Sequence, residues 1–202
     1  MPIINYASKE IQFKIVYYGP ALGGKTTSLA YIHSRLPPAF RGDLVSLATA
    51  ADRTLFFDFL PVEAVVLQGF RTKFQLYTVP GQVTYNRTRQ LVLRSVDAVV
   101  FVADSQWEQM HENVLSLRNL EENLQKQHLN LDEMPYVLQY NKRDLAEVAP
   151  VSYLEYLLNN RRRRVRSFEA IATTGYHVFS TLDAVTQIVL NRFTQEHQYV
   201  RT

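Results

Sequence analysis

Short apolar runs recur along the chain, each about as long as a buried strand, and they predict six strands. The runs cover residues 13–18, 55–60, 74–79, 98–103, 136–140 and 167–172. Three of the stretches between them carry apolar residues at helical spacing, beginning at Leu29, Met110 and Leu182. Strands that alternate with helices predict an α/β fold with a mostly parallel six-stranded sheet and helices on both faces. Runs 55–60 and 74–79 have no helix between them, so we expect one antiparallel edge strand.

Composition sets limits on this picture. With 202 residues and 47% hydrophobic content, we expect one domain over 1–202, with a core at about 11–195 and a short C-terminal tail. The chain has no cysteine, which excludes disulfides, thiolate metal sites and cysteine nucleophiles. No apolar run is long enough to cross a bilayer, so we expect a cytoplasmic protein without an integral membrane segment. We expect no nucleic-acid partner.

Arginine occupies positions 161–164 and 166. The favoured interpretation is a solvated connector, kept exposed by repulsion between its like charges. Contact with phosphates or anionic lipid stays open as the alternative. The five histidines show no metal-ligand spacing, and we do not expect them to bind a metal.

The segment after the first predicted strand matches the phosphate-loop pattern G-x-x-x-x-G-K-[ST], in the required position before a helix. In this pattern, backbone N–H groups and the positive end of the helix surround a phosphate. Lys25 is predicted to reach the β- and γ-phosphates, and Thr26 to hold Mg²⁺. The predicted nucleotide-binding residues of this loop are Gly19, Ala21, Leu22, Gly23, Gly24, Lys25, Thr26 and Thr27.

Residues 141–144 have the spacing N-K-x-D and follow the fifth predicted strand. Asp144 can accept two hydrogen bonds from guanine N1–H and the exocyclic amine, whereas adenine presents an acceptor there. Asn141 is predicted to contact the base and to tie this segment to the phosphate loop, and the Lys142 stem to cover one ring face. The pattern therefore predicts GTP or GDP as the ligand and disfavours an ATP-dependent kinase or ATPase.

Two further segments resemble those of Ras-like GTPases. Residues 169–175 are similar to E-x-S-A-K-x-G, which implies that the Ala172 N–H binds the guanine oxygen and that Thr173 stands where lysine shields the base. Residues 80–82 resemble the second switch, with Gly81 N–H on the γ-phosphate and Gln82 orienting the attacking water. Thr78 occupies the usual acidic position of that switch. The carboxylate that would steady Mg²⁺ is therefore expected to be absent.

Segments 77–83 and 51–61, together with the form of the phosphate loop, resemble the MglA family of bacterial Ras-like GTPases, and the resemblance extends through Phe193. It implies that Thr54 is a Mg²⁺ ligand and that Arg53 stabilises charge in the transition state. It also implies a homodimeric Roadblock-fold activator like MglB, which repositions Arg53 and Gln82, and a second strand that slides when GTP binds. Roles in cell polarity or motility and recruitment to a cell pole by partners are further implications.

The sequence thus predicts a GTP-binding switch that uses Mg²⁺ and hydrolyses GTP slowly unless a partner activates it. A GTP-dependent scaffold with negligible hydrolysis is the alternative, because Thr78 removes an acid from the expected metal site. The sequence does not identify downstream effectors.

Overall fold

The computed structural model describes residues 2–48, 54–67, 69–82 and 85–198. Eight strands in this part of the chain form one sheet. They are β1 (Ile3–Asn5), β2 (Glu10–Tyr18), β3 (Val45–Ala48), β4 (Thr54–Leu67), β5 (Phe70–Thr78), β6 (Ala98–Asp104), β7 (Tyr136–Asn141) and β8 (Ser167–Glu169). The order across the sheet is β3-β4-β5-β2-β6-β7-β8, and β1 pairs with β2 outside this path.

Five neighbouring strands, β5, β2, β6, β7 and β8, run parallel. All seven residues of β6 are buried, because a central parallel strand is covered on both faces and reads as a continuous apolar run. The carboxyl ends of parallel strands meet at one edge of a sheet. The segments that begin at Gly19, Ser105, Lys142 and Ala170 therefore leave the sheet at the same edge.

Helices cover both faces of the sheet. They are α1 (Lys25–Arg35), α2 (Asn86–Val92), α3 (Met110–Gln125), α4 (Val151–Leu158) and α5 (Val178–Gln198). The apolar residues of α1 and α5 belong to one core cluster, and those of α2, α3 and α4 belong to the cluster on the opposite face. Among the described residues, no helix has both the length and the apolar content needed to cross a bilayer.

The predicted fold class is confirmed, but the strand count is not. β1 and β3 have three and four residues, too short to stand out as apolar runs. The antiparallel pairing of β4 with β5 is confirmed, whereas β4 is not the edge, because β3 pairs with its outer side. Helices α2 and α4 were not predicted, since they have only seven and eight residues.

Several strand ends also differ from the prediction: β2 begins at Glu10 and β5 at Phe70, both earlier than predicted. β4 continues to Leu67 because it forms a hairpin with β5, in which Leu67 pairs with Phe70 around Gly69. β8 ends at Glu169, earlier than predicted, because the chain then leaves the sheet for the loop that carries Ala172.

Candidate nucleotide site

The loop between β2 and α1 is shaped by glycine. Gly24 is the N-cap residue of α1 and has φ of 101°, in the left-handed region. A Cβ atom on Gly24 would lie 2.0 Å from Asn141 Nδ2, so a larger residue does not fit. No side chain of a described residue caps α1. The N–H groups of its first turn therefore form a site suited to an anion.

Lys25 lies buried beneath this loop, with 6% of its surface exposed. Its Nζ donates to the carbonyl oxygens of Gly19, at 3.1 Å, and Pro20, at 2.6 Å. Burial, reinforced by the charge of Arg89 and opposed by that of Asp58, lowers the pKa of Lys25 to about 7. Carbonyl dipoles do not neutralise an ammonium, whereas a phosphate would supply the opposite charge.

A carboxylate does lie beside the phosphate loop, and it comes from β4. Asp58 is fully buried, and its carboxylate accepts hydrogen bonds from Thr26 Oγ1 at 2.6 Å, Thr78 Oγ1 at 2.7 Å and Ser46 Oγ at 2.5 Å. The expectation that no carboxylate lies at this position was therefore wrong, whereas its role toward Mg²⁺ is a proposal. Thr78 lacks the acid itself, but its hydroxyl binds an acid from the neighbouring strand.

The pairing of β4 with β5 explains how Asp58 reaches this position. Phe59 pairs with Tyr77 in the antiparallel ladder, which brings Asp58 next to Thr78. The Asp58 N–H donates to Thr78 Oγ1 at 2.9 Å. The register of β4 therefore sets the position of the carboxylate.

Gly81 brings the segment after β5 into backbone contact with the phosphate loop. A Cβ atom on Gly81 would lie 2.2 Å from Ala21 Cα and 2.5 Å from Ala21 N. Only a residue without a Cβ permits this approach. The contact fixes where Gln82, the next residue, leaves the loop.

Arg89 of α2 holds the same segment from the opposite side. It is fully buried, and its guanidinium donates to the carbonyl oxygens of Pro80 and Gly81 and, at 2.7 Å, to Asn119 Oδ1. No carboxylate of a described residue is hydrogen-bonded to it. The charge of Arg89 is therefore stabilised by carbonyl and amide dipoles.

Asn119 belongs to a buried polar cluster between α2 and α3. The Tyr18 hydroxyl donates to Asn119 Oδ1 at 2.6 Å, and Asn123 Nδ2 donates to Asn86 Oδ1 at 2.7 Å. The Arg89 guanidinium also lies over the Tyr18 ring, 5.1 Å from its centroid. Residues 80–82 are thereby connected through Arg89 to α3.

At the other end of the cleft, Asn141 joins three loops. Its Nδ2 donates to the Gly23 carbonyl at 2.8 Å, and its Oδ1 accepts from the Ala172 N–H at 2.9 Å. The predicted tie between Asn141 and the phosphate loop is confirmed. Because the Ala172 N–H already has a partner, a guanine oxygen would have to share it with Asn141.

A cavity of about 190 Å³ opens beside Asn141. It brings together many of the residues predicted from separate parts of the sequence. These are Leu22, Gly24, Thr27, Asn141, Lys142, Asp144, Ala172 and Thr173.

Comparison with known proteins identifies the family. A family model described as the Ras family matches residues 46–191. The chain belongs to the Ras family. Mutual gliding-motility protein MglA of Myxococcus xanthus (strain DK1622) is 53% identical to it over 190 residues, which cover 94% of this chain and 96% of that protein. The resemblance to MglA seen in the sequence is thereby confirmed.

In this Ras-family chain, Lys142 is anchored by a buried acid. Lys142 adopts φ of 65°, and its Nζ lies 2.5 Å from Asp104 Oδ2 at the end of β6. Asp104 is 1% exposed and also accepts from the Gln106 N–H at 3.1 Å. That the Lys142 stem covers a face of the base stays a prediction.

Two predicted residues of the Ras-family site are not placed by the structure. Arg53 lies outside the described residues, and Thr54 begins β4 opposite Ala48, with a side chain that is not described. Their roles stay predictions. Gln82 is half-buried, and its carbonyl accepts from the Tyr85 N–H at 3.2 Å.

Sequence reasoning missed Asp58, Arg89 and Asp104 as parts of the site. Asp58 did carry a signal, since it is a charged residue inside an apolar strand and a buried charge needs a specific partner. Nothing in the polar sequence of α2 marks Arg89 as buried.

Proposed function

We propose that this Ras-family protein is a magnesium-dependent switch that binds GTP, hydrolyses it slowly to GDP and phosphate, and changes partners with its nucleotide state. The observation that carries this proposal is the meeting of three distant segments, 19–26, 80–82 and 141–144, along one cleft. One ligand that contacts all three needs a chain of phosphates at one end and a base at the other.

Guanine selectivity is assigned to Asp144, which lines the cavity beside Asn141. Its carboxylate can accept from two donors on the same edge of guanine, whereas adenine leaves it facing an acceptor. Asn141 keeps this segment tied to the phosphate loop through Gly23. Thr173 provides no long stem to shield the base.

The phosphates are assigned to the loop 19–26. Lys25 supplies positive charge from beneath, and the uncapped first turn of α1 supplies N–H donors. The Gly81 N–H is assigned to the γ-phosphate, because Gly81 already touches the backbone of the phosphate loop. Loss of the γ-phosphate would remove a partner from the segment that also carries Gln82.

The residues beside Thr26 fit a magnesium ion. Magnesium prefers hard oxygen ligands, and the Thr26 hydroxyl and Asp58 carboxylate are such groups, 2.6 Å apart. We assign Thr26 and Thr54 as ligands and Asp58 as the carboxylate that steadies the ion from the next layer. When bound, the magnesium ion would neutralise part of the negative charge on the phosphates.

Hydrolysis is assigned to Gln82 and Arg53. Gln82 orients the attacking water, and Gly81 and Arg89 fix the segment from which it projects. Arg53, carried over from the resemblance, neutralises charge on the transferring group. A well-placed arginine accelerates phosphoryl transfer roughly 10³ to 10⁵-fold. Slow hydrolysis without a partner is therefore expected if Arg53 reaches the phosphate only after the partner repositions it.

Similarity to MglA extends the proposal to partners and cellular role. We propose a Roadblock-fold homodimer like MglB as the activator, a role in cell polarity or motility, and a cytoplasmic protein recruited to a cell pole by partners. The alternative, a scaffold without hydrolysis, drew its support from Thr78. The Asp58 carboxylate beside Thr26 supplies an acid in place of the one that Thr78 lacks, which favours the hydrolysing switch.

Single-turnover hydrolysis of GTP, with and without a purified Roadblock-fold homodimer, tests this function. We expect slow turnover alone and faster turnover with the partner, and Arg53→Ala should lose most of the acceleration. Arg35→Ala, an exposed arginine at the end of α1, is the matched control and should behave like the wild type. GTP that stays bound and intact under both conditions would favour the scaffold.

A further inference from the structure

The arginine-rich segment is a fixed loop. Asn159, at the end of α4, is 1% exposed. Its Oδ1 accepts from the Val165 N–H and its Nδ2 donates to the Val165 carbonyl, both at 2.9 Å. These paired hydrogen bonds close the segment 160–164 into a loop, so its backbone is positioned before any ligand arrives.

One arginine of the loop is used to anchor it. Arg161 pairs with Glu121 of α3 and, at 3.1 Å, with Asp132. Arg162, Arg163 and Arg164 are exposed and make no ion pair with any residue that the structure describes. The neighbouring acids that pair with Arg161 do not neutralise the other three charges. The loop therefore presents three uncompensated guanidinium groups.

A cavity of about 230 Å³ lies under this loop. Arg163, Arg164 and Arg166 line it, and no acid does. Tyr136 also lines the cavity, and within the described part of the chain its buried hydroxyl has no hydrogen-bond partner. Three guanidinium groups with their planar donors suit the oxygens of a phosphate.

The cavity is the cationic end of a longer groove. A second cavity of about 260 Å³ shares Arg163 and Ile188 with it, and a third of about 160 Å³ shares Pro135 and Arg192 with the second. Phe13, Val189 and Phe193 line the third together with the acids Asp97 and Glu196, and Glu133 lines the second. The groove thus passes from an end lined by arginines without acids to an end where apolar side chains predominate.

We propose that this groove binds anionic phospholipids, with the phosphate headgroup at Arg163, Arg164 and Arg166 and the start of an acyl chain at the apolar end. Free phosphate would contact only the cationic end of the groove. A nucleic acid could also contact that end, but it has no hydrocarbon chain to fill the apolar end. The loop precedes β8, so it lies at the amino ends of the parallel strands. The nucleotide cleft lies at their carboxyl ends. A membrane bound there leaves the cleft open.

Vesicle flotation of the full-length protein tests this site. We expect binding to phosphatidylcholine vesicles that contain phosphatidylglycerol and none to phosphatidylcholine alone. A basic residue near an anionic membrane is worth about fivefold in affinity, so Arg163→Gln/Arg164→Gln/Arg166→Gln should weaken binding on the order of 100-fold at low salt. These side chains are exposed, and an unchanged melting temperature would verify the fold.

A matched triple variant distinguishes loss of this site from a general loss of positive charge. Arg35→Gln/Arg94→Gln/Arg118→Gln removes the same charge from exposed positions elsewhere and should bind vesicles like the wild type. Equal loss in both triple variants would overturn the proposal, as would equal binding to neutral and anionic vesicles.

Soluble competitors separate the possible sources of phosphate. Short-chain phosphatidylglycerol, kept below its micelle concentration, should displace the protein from vesicles at concentrations where glycerol 3-phosphate does not. If glycerol 3-phosphate or inorganic phosphate competes equally well at matched ionic strength, the ligand is a soluble phosphate. If duplex DNA binds more tightly than vesicles at the same phosphate concentration, the ligand is a nucleic acid. Either result contradicts the lipid assignment.

Discussion

At the base end of the cleft, Asn141 joins the loops after β2, β7 and β8 through hydrogen bonds to backbone groups. At the phosphate end, Asp58 of β4 binds the Thr78 hydroxyl and Arg89 of α2 binds the Gly81 carbonyl, and neither residue belongs to a nucleotide-binding motif. The base end is thus held by its own motif residues. The phosphate end depends on residues supplied by neighbouring elements.

This difference follows from what each end does in a switch. The base is present in both nucleotide states, so its contacts can be built into fixed loops. The phosphate end must respond to the γ-phosphate. A slide of β4, which the resemblance to MglA implies, would carry Asp58 away from Thr26 and Thr78, because the register fixes those contacts. Under the proposed metal assignment, such a slide would couple strand position to magnesium binding.

The largest effect is expected at the base end. Asp144→Ala removes two hydrogen bonds to a charged acceptor, and we expect guanine-nucleotide affinity to fall roughly 10² to 10⁴-fold. Titration with fluorescent GDP measures it. Glu147→Ala, an exposed acid in the same loop, is the control and should leave affinity unchanged. Equal affinities for wild type and Asp144→Ala would remove Asp144 from the base site.

The next largest effect is expected on turnover. Gln82→Leu removes the group that orients water, and we expect single-turnover hydrolysis to slow roughly 10² to 10³-fold. GTP affinity should stay near that of the wild type, because Gln82 is assigned no ground-state contact. Gln125→Leu, an exposed glutamine at the end of α3, serves as the control. Full turnover by Gln82→Leu would contradict the assignment.

Asp58→Asn should weaken magnesium binding. The amide keeps the shape but loses the charge beside Thr26, and we expect about a 10 to 100-fold increase in the magnesium concentration needed to slow GDP release. Glu63→Gln, further along the same strand, should show no such change. An unaltered magnesium requirement in Asp58→Asn would show that the carboxylate does not serve the metal.

A double variant sharpens the same comparison. Thr78→Asp alone replaces the hydroxyl that donates to Asp58 Oδ2 at 2.7 Å with a second carboxylate, and repulsion should weaken magnesium binding. Combined with Asp58→Asn, the new acid should restore it. Additive losses in the double variant would mean that the two positions do not share one role.

The smallest of these effects is expected for Arg89→Lys. Lysine keeps the charge but cannot hold Pro80, Gly81 and Asn119 together, and we expect turnover to fall about tenfold through misplacement of Gln82. Nucleotide affinity should change little, and the exposed Arg94→Lys is the control. A loss of GDP affinity as large as the loss of turnover would indicate a collapsed site rather than a misplaced one.

The sequence predicted the base end of the cleft better than the residues that support its phosphate end. Residues 19–26 and 141–144 form contiguous motifs, whose spacing can be recognised along the chain. Asp58 reaches Thr26 only because β4 pairs with β5 in one register, and Arg89 is buried only because α2 packs on α3. Such contacts depend on three-dimensional pairing, so local patterns do not reveal them. The short strands β1 and β3 were not predicted for a related reason, because only their pairing with neighbouring strands defines them.

Competition between nucleotides for fluorescent GDP tests the central claim most directly. In the presence of magnesium, GTP should displace the fluorescent nucleotide at concentrations at least about 10³-fold lower than ATP, because Asp144 rejects adenine. Removal of magnesium by a chelator should speed release. If ATP competes as well as GTP, or if the purified protein retains neither nucleotide, the cleft does not bind guanine nucleotides and the account is wrong.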